Sequence, residues 1–333
     1  MQRKNALNRD EFKRKFAADF VKLIENEGGK FMMPFISLGM PINLARMNTK
    51  NPYYYGVNNF ILWWASKHYK FKSNVWGTYN QIKEKGGQVL EDQKHKATQV
   101  VLWKPFETKG KYKRNTGDKK VGDERTISSV YLAFFWVYNL DQTTLAKQYQ
   151  KSGDGSKTKI NAEQYVKNTG ANIQHGGDKC FYVPSKDYIQ MVDKIMFVRT
   201  GDSNATVNYY STLFHELVHW TGHESRLKRD MQSFFGSDGY AAEELVAESG
   251  AAMLSCLLGI TSKPKKESAQ YIKSWMKKIK GDPDAIMNAI GKAGSAVKYL
   301  DSLQPGKDAK NYDRSISKKD QRQESKKEVG KTG

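Results

Sequence analysis

Cysteine is nearly missing from this chain of 333 residues, with Cys180 and Cys256 the only two. Two thiols cannot build the disulfide framework of a small secreted domain, nor a cysteine-rich zinc module. Their scarcity fits a reducing, cytoplasmic setting. Long apolar runs are missing as well. The longest, residues 130–140 and 251–260, fall well short of the roughly 20 residues that cross a bilayer, so no membrane partner is expected. The first residues, Met1-Gln-Arg-Lys-Asn, lack the apolar core of a secretory signal. No internal repeat is visible. What is present excludes a disordered chain: 38% hydrophobic and 12% aromatic residues supply enough apolar surface for about two domains.

Acidic residues are in deficit, which leaves a formal charge of +20. The excess is uneven, since residues 1–126 hold 25 Lys and Arg against 12 Asp and Glu. A basic first third points to a polyanion, and nucleic acid is the commonest one. Ten aromatic residues between Tyr53 and Tyr79 lie among the lysines, a mixture that suits stacked bases and tracked phosphates of a single strand. At least half of them are expected in the core. Tyr53, Tyr54 and Tyr55, which follow Pro52, are the expected surface stackers, with Lys50, Trp76 and Lys83 as further DNA contacts.

Spacing and punctuation outline the elements. Phe12, Phe16, Phe20 and Leu23 predict an amphipathic helix over 9–26. Residues 28–58 read as loop-rich, 58–70 as a capped helix, and 80–85 as a short helix ended by Gly86-Gly87. Strands are expected at 88–90, 98–103 and 130–138, and the charged stretch 107–125 reads as a mobile hairpin loop. Gln148 to Lys159 (QYQKSGDGSKTK) has the composition of a linker. Beyond it, a helix is expected at 161–169, a strand at 179–184, a mixed segment at 187–197, and helices at 208–221, 240–258, 268–279 and 284–300. The expected class is α+β: a mixed domain over 1–147, a linker over 148–159, a mostly helical domain with a small sheet over 160–303, and a disordered polar tail over 304–333.

The chemistry concentrates in FHELVHWTGHESR, which contains His215-Glu216-Leu217-Val218-His219. Positions i and i+4 share a helix face, so both imidazoles can reach one Zn²⁺. Glu216, beside the first ligand, can act as general base on a water there. Tyr209, Tyr210, Leu213, Phe214, Leu217 and Val218 make the helix otherwise apolar, a costly setting for ionisable groups without a metal. The metzincin pattern H-E-x-x-H-x-x-G-x-x-H fails, because Ser225 stands where its third histidine belongs and His223 comes directly after Gly222. A later carboxylate, as in gluzincins, is the alternative. Among Glu243, Glu244 and Glu248, the pair Glu244 and Glu248 share one face, and Glu244 is favoured as ligand with Glu248 as acceptor behind a ligand histidine. His223 remains as an alternative ligand. His223, Arg226 and Tyr240 are candidate donors to an oxyanion. Zinc is the expected metal, and manganese and cobalt suit the same donors.

At these residues the chain resembles the ArdC-type antirestriction proteins of plasmids and phages. The likeness rests on YYSTLFHELVHWTGHESRL, FGSDGYAAEELVAESGAAML and YIKSWMKKIKGDPDAIMNAIGKA in the second half. In the first half it rests on NPYYYGVNNFILWW, VWGTYNQIKEKGGQV and WVYNLDQ. The resemblance implies a single-stranded-DNA-binding domain followed by a zincin-like metallopeptidase domain, with a metal held by His215, His219 and a downstream glutamate. It further implies protection of incoming mobile-element DNA from host restriction, with a host protein or peptide as substrate of any proteolysis.

Overall fold

A computed structural model of the chain describes residues 7–27, 39–113, 122–151, 161–199, 203–231, 238–260 and 282–307. Asn8 starts helix α1 (Arg9–Glu27): its side chain accepts from the Asp10 and Glu11 amides at 3.0 Å, and Glu11 accepts in return from the Asn8 amide. This reciprocal cap satisfies amides that the helix itself leaves unpaired. Phe12, Phe16 and Phe20 form the buried face of α1, one turn apart. Helix α2 (Val57–Tyr69) buries Phe60, Leu62 and Trp63, and a Thr78/Gln81 capping box starts the short α3 (Tyr79–Glu84).

A four-stranded sheet completes the first half. Its order is β1 (Ile42–Asn43), β2 (Val75–Thr78), β4 (Gly122–Asn139), β3 (Thr98–Lys113), with β1 parallel to β2 and the other pairs antiparallel. Strands β3 and β4 differ from the expected loop over 107–125. They stay paired out to Lys113 opposite Gly122, and 114–121 lie outside the described residues. High charge misled here, because a two-stranded ribbon need not bury either face and therefore tolerates it. The strand expected at 88–90 reduces to one bridge between Val89 and Thr143. The residues that read as a linker begin inside α4 (Ala146–Lys151); the rest, 152–159, lie outside the described residues.

The second half opens with α5 (Ala162–Asn168) and a small sheet ordered β5 (Asn172–His175), β7 (Tyr188–Met191), β6 (Phe181–Val183). Helices α6 (Ala205–Trp220), α7 (Asp238–Leu257) and α8 (Pro283–Ser302) follow. The helix expected at 268–279 lies outside the described residues. So does the tail beyond Lys307, although Gln304 and Lys307 are tied down, Gln304 by donating to the Tyr165 and Leu300 carbonyls and Lys307 by pairing with Asp301.

One apolar core crosses the expected boundary. Phe12, Phe16, Phe60 and Trp63 of the first half cluster with Leu213, Phe214, Ile286 and Ile290 of the second. The contact is closest where Gly56, at φ 65°, meets Gly294 of α8. A Cβ on Gly294 would lie 2.4 Å from both Cα and N of Gly56, so backbone must move to admit a methyl group. Gly294→Ala is therefore expected to destabilise the fold by about 1–3 kcal/mol net of its better helix propensity. Gly291→Ala, one turn away with nothing within 4 Å of the added carbon, should stabilise by up to about 1 kcal/mol. Equal urea midpoints for the two variants would refute the close approach.

Candidate metal centre

The Asn204 side chain accepts from the Val207 amide at 2.8 Å and starts α6, whose residues Leu213, Phe214, Leu217 and Val218 are buried. Helix α7 lies against it at Gly250, where a Cβ would stand 2.7 Å from Cγ2 of Val218. Only glycine permits that approach, and it sets the glutamates of α7 over the histidines of α6.

The side chains interlock with a definite polarity. His215 Nδ1 is 3.3 Å from Glu248 Oε1, and His219 Nδ1 is 3.2 Å from Glu243 Oε1. Ionised carboxylates only accept, so each Nδ1 carries a hydrogen, and Nε2 of each ring is the atom left to meet a metal once its own proton is given up. The two Nε2 nitrogens stand 3.1 Å apart, with Glu244 Oε2 3.4 Å from the first and Oε1 3.5 Å from the second. Carboxylates crowded round two imidazoles in a half-buried site call for positive charge among them, as protons or as a metal cation that displaces those protons. His215, His219 and Glu244 offer ligand atoms all within 4.8 Å of one another, so the donor set fits a divalent ion bound by two imidazoles and a carboxylate.

The electrostatics carry the same demand for positive charge. Burial pushes both imidazoles toward neutrality, yet the surrounding glutamates hold the His215 and His219 pKa values above their ordinary range. Burial also opposes ionisation of Glu244, but hydrogen bonds from the two histidines keep its carboxyl far below the usual carboxylate range. Glu216 is buried beside them, and its charge acts on both histidines.

Glu243, a candidate ligand by sequence, has another role here, and Arg229 had no signal in the spacing. Glu243 orients His219, and Arg229 holds Glu243, its Nε and Nη2 donating at 3.0 and 2.8 Å. The same guanidinium donates to Thr221 Oγ1 at 2.8 Å and to the Val218 carbonyl at 2.6 Å, closing the end of α6. The turn 221–231 that brings Arg229 back follows no periodicity from which its partner could be read.

Other candidates are redistributed. His223 does not join the cluster: its Nδ1 meets Ser225 Oγ at 2.8 Å and accepts from the Ser225 amide at 3.2 Å, because the chain turns away after α6. Arg226 is engaged by Asp187, donates to the Trp220 carbonyl and lies 3.9 Å over the Trp220 ring, which leaves a structural role in place of an oxyanion donor. Tyr240 sits half-buried in the first turn of α7. Trp76 is not a surface stacker. It is 0% exposed among Leu62, Ala65, Val100 and Val137, since the largest side chain in a short central strand serves the core best. Tyr55 donates to Asp301 Oδ2 at 3.1 Å, Tyr54 accepts from Asn43 Nδ2 at 2.8 Å, and Tyr53 sets its edge against Tyr55. All three are half-buried, whereas Lys50 and Lys83 are exposed.

With this geometry in view, similarity to known proteins is informative. Residues 10–138 match the N-terminal domain of anti-restriction factor ArdC, and residues 160–292 match a zincin-like metallopeptidase. The crystal structure of the antirestriction ArdC protein from plasmid R388, in its metal-free form, superposes with a TM-score of 0.65 at 30% identity, covering 88% of this chain and 97% of that one. Its Mn(II)-bound structure gives 0.63 at 28% identity, covering 88% and 98%. The uncharacterized protein y4eC of Sinorhizobium fredii (strain NBRC 101917 / NGR234) is 28% identical over 295 residues, 86% of this chain and 90% of that protein. The DNA primase TraC of Escherichia coli is 35% identical over 264 residues, 77% of this chain, and the match spans 24% of the primase. No described helix is long and apolar enough to cross a membrane. A match over 88% of this chain at 30% identity, together with both domain matches, shows that the chain belongs to the ArdC-type antirestriction family, an ArdC N-terminal domain joined to a zincin-like metallopeptidase domain.

Proposed function

We propose that this protein binds single-stranded DNA through its basic first half and hydrolyses a peptide bond at the His215, His219, Glu244 centre, protecting incoming mobile-element DNA in the host cytoplasm. The observation that carries the catalytic half is the convergence of two imidazole Nε2 atoms on Glu244 beside a buried Glu216. A structural zinc site closes with four protein ligands and has no use for a base beside the first histidine. Zn²⁺ is the expected ion, and Mn²⁺, which the R388 protein holds, suits the same donors. When bound, such an ion supplies Lewis acidity toward a peptide carbonyl and a neighbouring water.

The chain's own residues account for the remaining chemistry. Glu248 and Glu243 fix the imidazole rings from behind. The Glu216 carboxylate takes a proton from the attacking water, and the same oxygen returns it to the amide nitrogen as the C–N bond breaks. The apolar wall of α6 limits competing solvent around these charges.

DNA binding is supported by the surplus of positive charge in residues 1–126 and by the match to a stretch of a DNA primase. Binding should weaken steeply with added salt as phosphate counterions are released, and a single strand should bind more tightly than a duplex of the same length. Equal affinity for both would leave only an unselective basic surface. On the catalytic side, Glu216→Gln should keep its metal and lose metal-dependent cleavage by about 10²–10⁴-fold. Cleavage of a peptide library undiminished in that variant would remove the assignment of the base.

A further inference from the structure

The tyrosines at 53–55 are tied into packing, yet aromatic rings do reach the surface at the other end of α2. Trp64 and His68, one turn apart, stack with ring centroids 4.9 Å apart and planes 6° from parallel. Lys15, which pairs with Asp19, stands 5.2 Å from the Trp64 centroid. Tyr69 follows with an edge-on contact to His68 and a tilted one to Phe71 at 5.4 Å. Trp64 and Phe71 are half-buried, whereas His68 and Tyr69 are exposed, Tyr69 by 39%. The half-buried rings hold the exposed ones in place, so a partner that stacks on them immobilises little side chain. Exposed rings gathered in one place mark a binding surface where single scattered ones do not.

The backbone at this point carries strain. Lys70 ends α2 at φ 56° and ψ 38°, the left-handed conformation. Its amide donates to the Lys67 carbonyl, and the Phe71 amide donates to the Ser66 carbonyl at 2.9 Å, a closure that glycine ordinarily makes. A lysine is costly there because its Cβ crowds the backbone. The fold draws no ion pair from it in return: Lys70 is exposed and pairs with none of the described residues. The negative end of the helix does not require it, since Lys67 and His68 already stand in the last turn. Strain kept at an exposed cation points to a use outside the fold. Lys72 is likewise exposed and without an ion pair among the described residues. Its turn is fixed by Asp141 Oδ2, which accepts from the Lys72 amide at 2.6 Å and the Ser73 amide at 3.2 Å.

We propose that a single strand crosses the protein at this end of α2, with bases stacked on His68 and Tyr69 and neighbouring phosphates on Lys70 and Lys72. The proposal rests on the single-strand reading above and adds the place. Stacking accepts every base, so the site has no strong sequence preference. A duplex keeps its bases paired and stacked on one another and can offer this surface only its phosphates.

Fluorescence anisotropy on the full chain tests the proposal, with labelled oligo(dT) and with an abasic strand of equal length that has the phosphates but no bases. Tyr69→Ala should weaken oligo(dT) about tenfold and leave the abasic strand unchanged. Tyr79→Ala, which removes a 51% exposed ring on α3, should change neither. Lys70→Gly should hold or raise the urea midpoint of unfolding, because relief of strain offsets the greater chain entropy of glycine. It should nevertheless weaken both strands and lower the salt slope by about 0.7. A variant that folds as well and binds worse cannot owe its loss to unfolding. Oligo(dT) binding that both Tyr69→Ala and Lys70→Gly leave untouched would overturn this site while the DNA-binding reading stands. An unaltered chain that binds neither strand would refute both.

Discussion

Glu244→Ala protein should emerge from purification with almost no divalent metal where the unaltered chain carries about one ion, as measured by elemental analysis. The two imidazoles that remain cannot be joined by a substitute from α7. Glu248 is held at Nδ1 of His215, on the side away from Nε2, and Glu243 is held between His219 and Arg229. Recruiting either would mean turning a ring or breaking a buried pair. The loss should exceed the roughly 10–100-fold that removal of an outer partner costs. His223→Ala should keep its ion, because that ring is engaged with Ser225 outside the cluster. Metal retained in Glu244→Ala but lost in Glu248→Ala would transfer the third ligand to Glu248.

Arg229→Ala should be among the most destabilising single changes in the described residues. The Arg229 and Glu243 side chains are 4% and 11% exposed, so deleting the cation leaves a carboxylate in a poorly solvated place with only His219 beside it. Breaking a buried pair from one side costs about 3–5 kcal/mol, which lowers the melting temperature by on the order of 10 °C. The end of α6 also loses the donor to Thr221 and the Val218 carbonyl. With His219 less firmly oriented, metal affinity should fall about 10–100-fold. The double variant Arg229→Met with Glu243→Leu separates the two effects: it removes both charges, so stability should recover while affinity stays low. A single Arg229→Ala variant that melts with the unaltered chain would show that the carboxylate finds solvent.

Much of the centre could be read in the sequence because helix geometry turns spacing into proximity. His215 and His219 at i and i+4, and Glu244 and Glu248 at the same interval on a second helix, predict two facing pairs, and the structure sets Glu244 and Glu248 3.4 and 3.3 Å from His215. Most of the described helices were legible from caps and periodicity, with ends that differ by a few residues, but α4 was missed and its end read as linker. The sheet was less so. Strand β1 is two residues long and pairs in parallel with β2, and two residues carry no alternation to detect. Aromatic residues were the weakest guide in the first half. Trp76 and Tyr55 lie among lysines in sequence, yet an aromatic ring gains most from burial, and neighbouring lysines keep their charge in water while their stems pack. Which rings remain outside depends on where α2 meets the sheet, a tertiary fact. Arg229 was hidden for a related reason, since its partner sits on a different helix after an irregular turn.

The contact between the two halves also bears on how the chain is made. Tyr55 and Asp301 are 246 residues apart in sequence, so at about 5–20 residues per second the first waits roughly 10–50 s on the ribosome for the second. Throughout that interval α1 and α2 present Phe12, Phe16, Phe60 and Trp63 without the α8 surface that covers them. The nascent first half therefore spends synthesis as a sticky, basic and incomplete intermediate. Slow translation or early termination should divert it to chaperones or aggregates, so expression yield should respond to the integrity of α8.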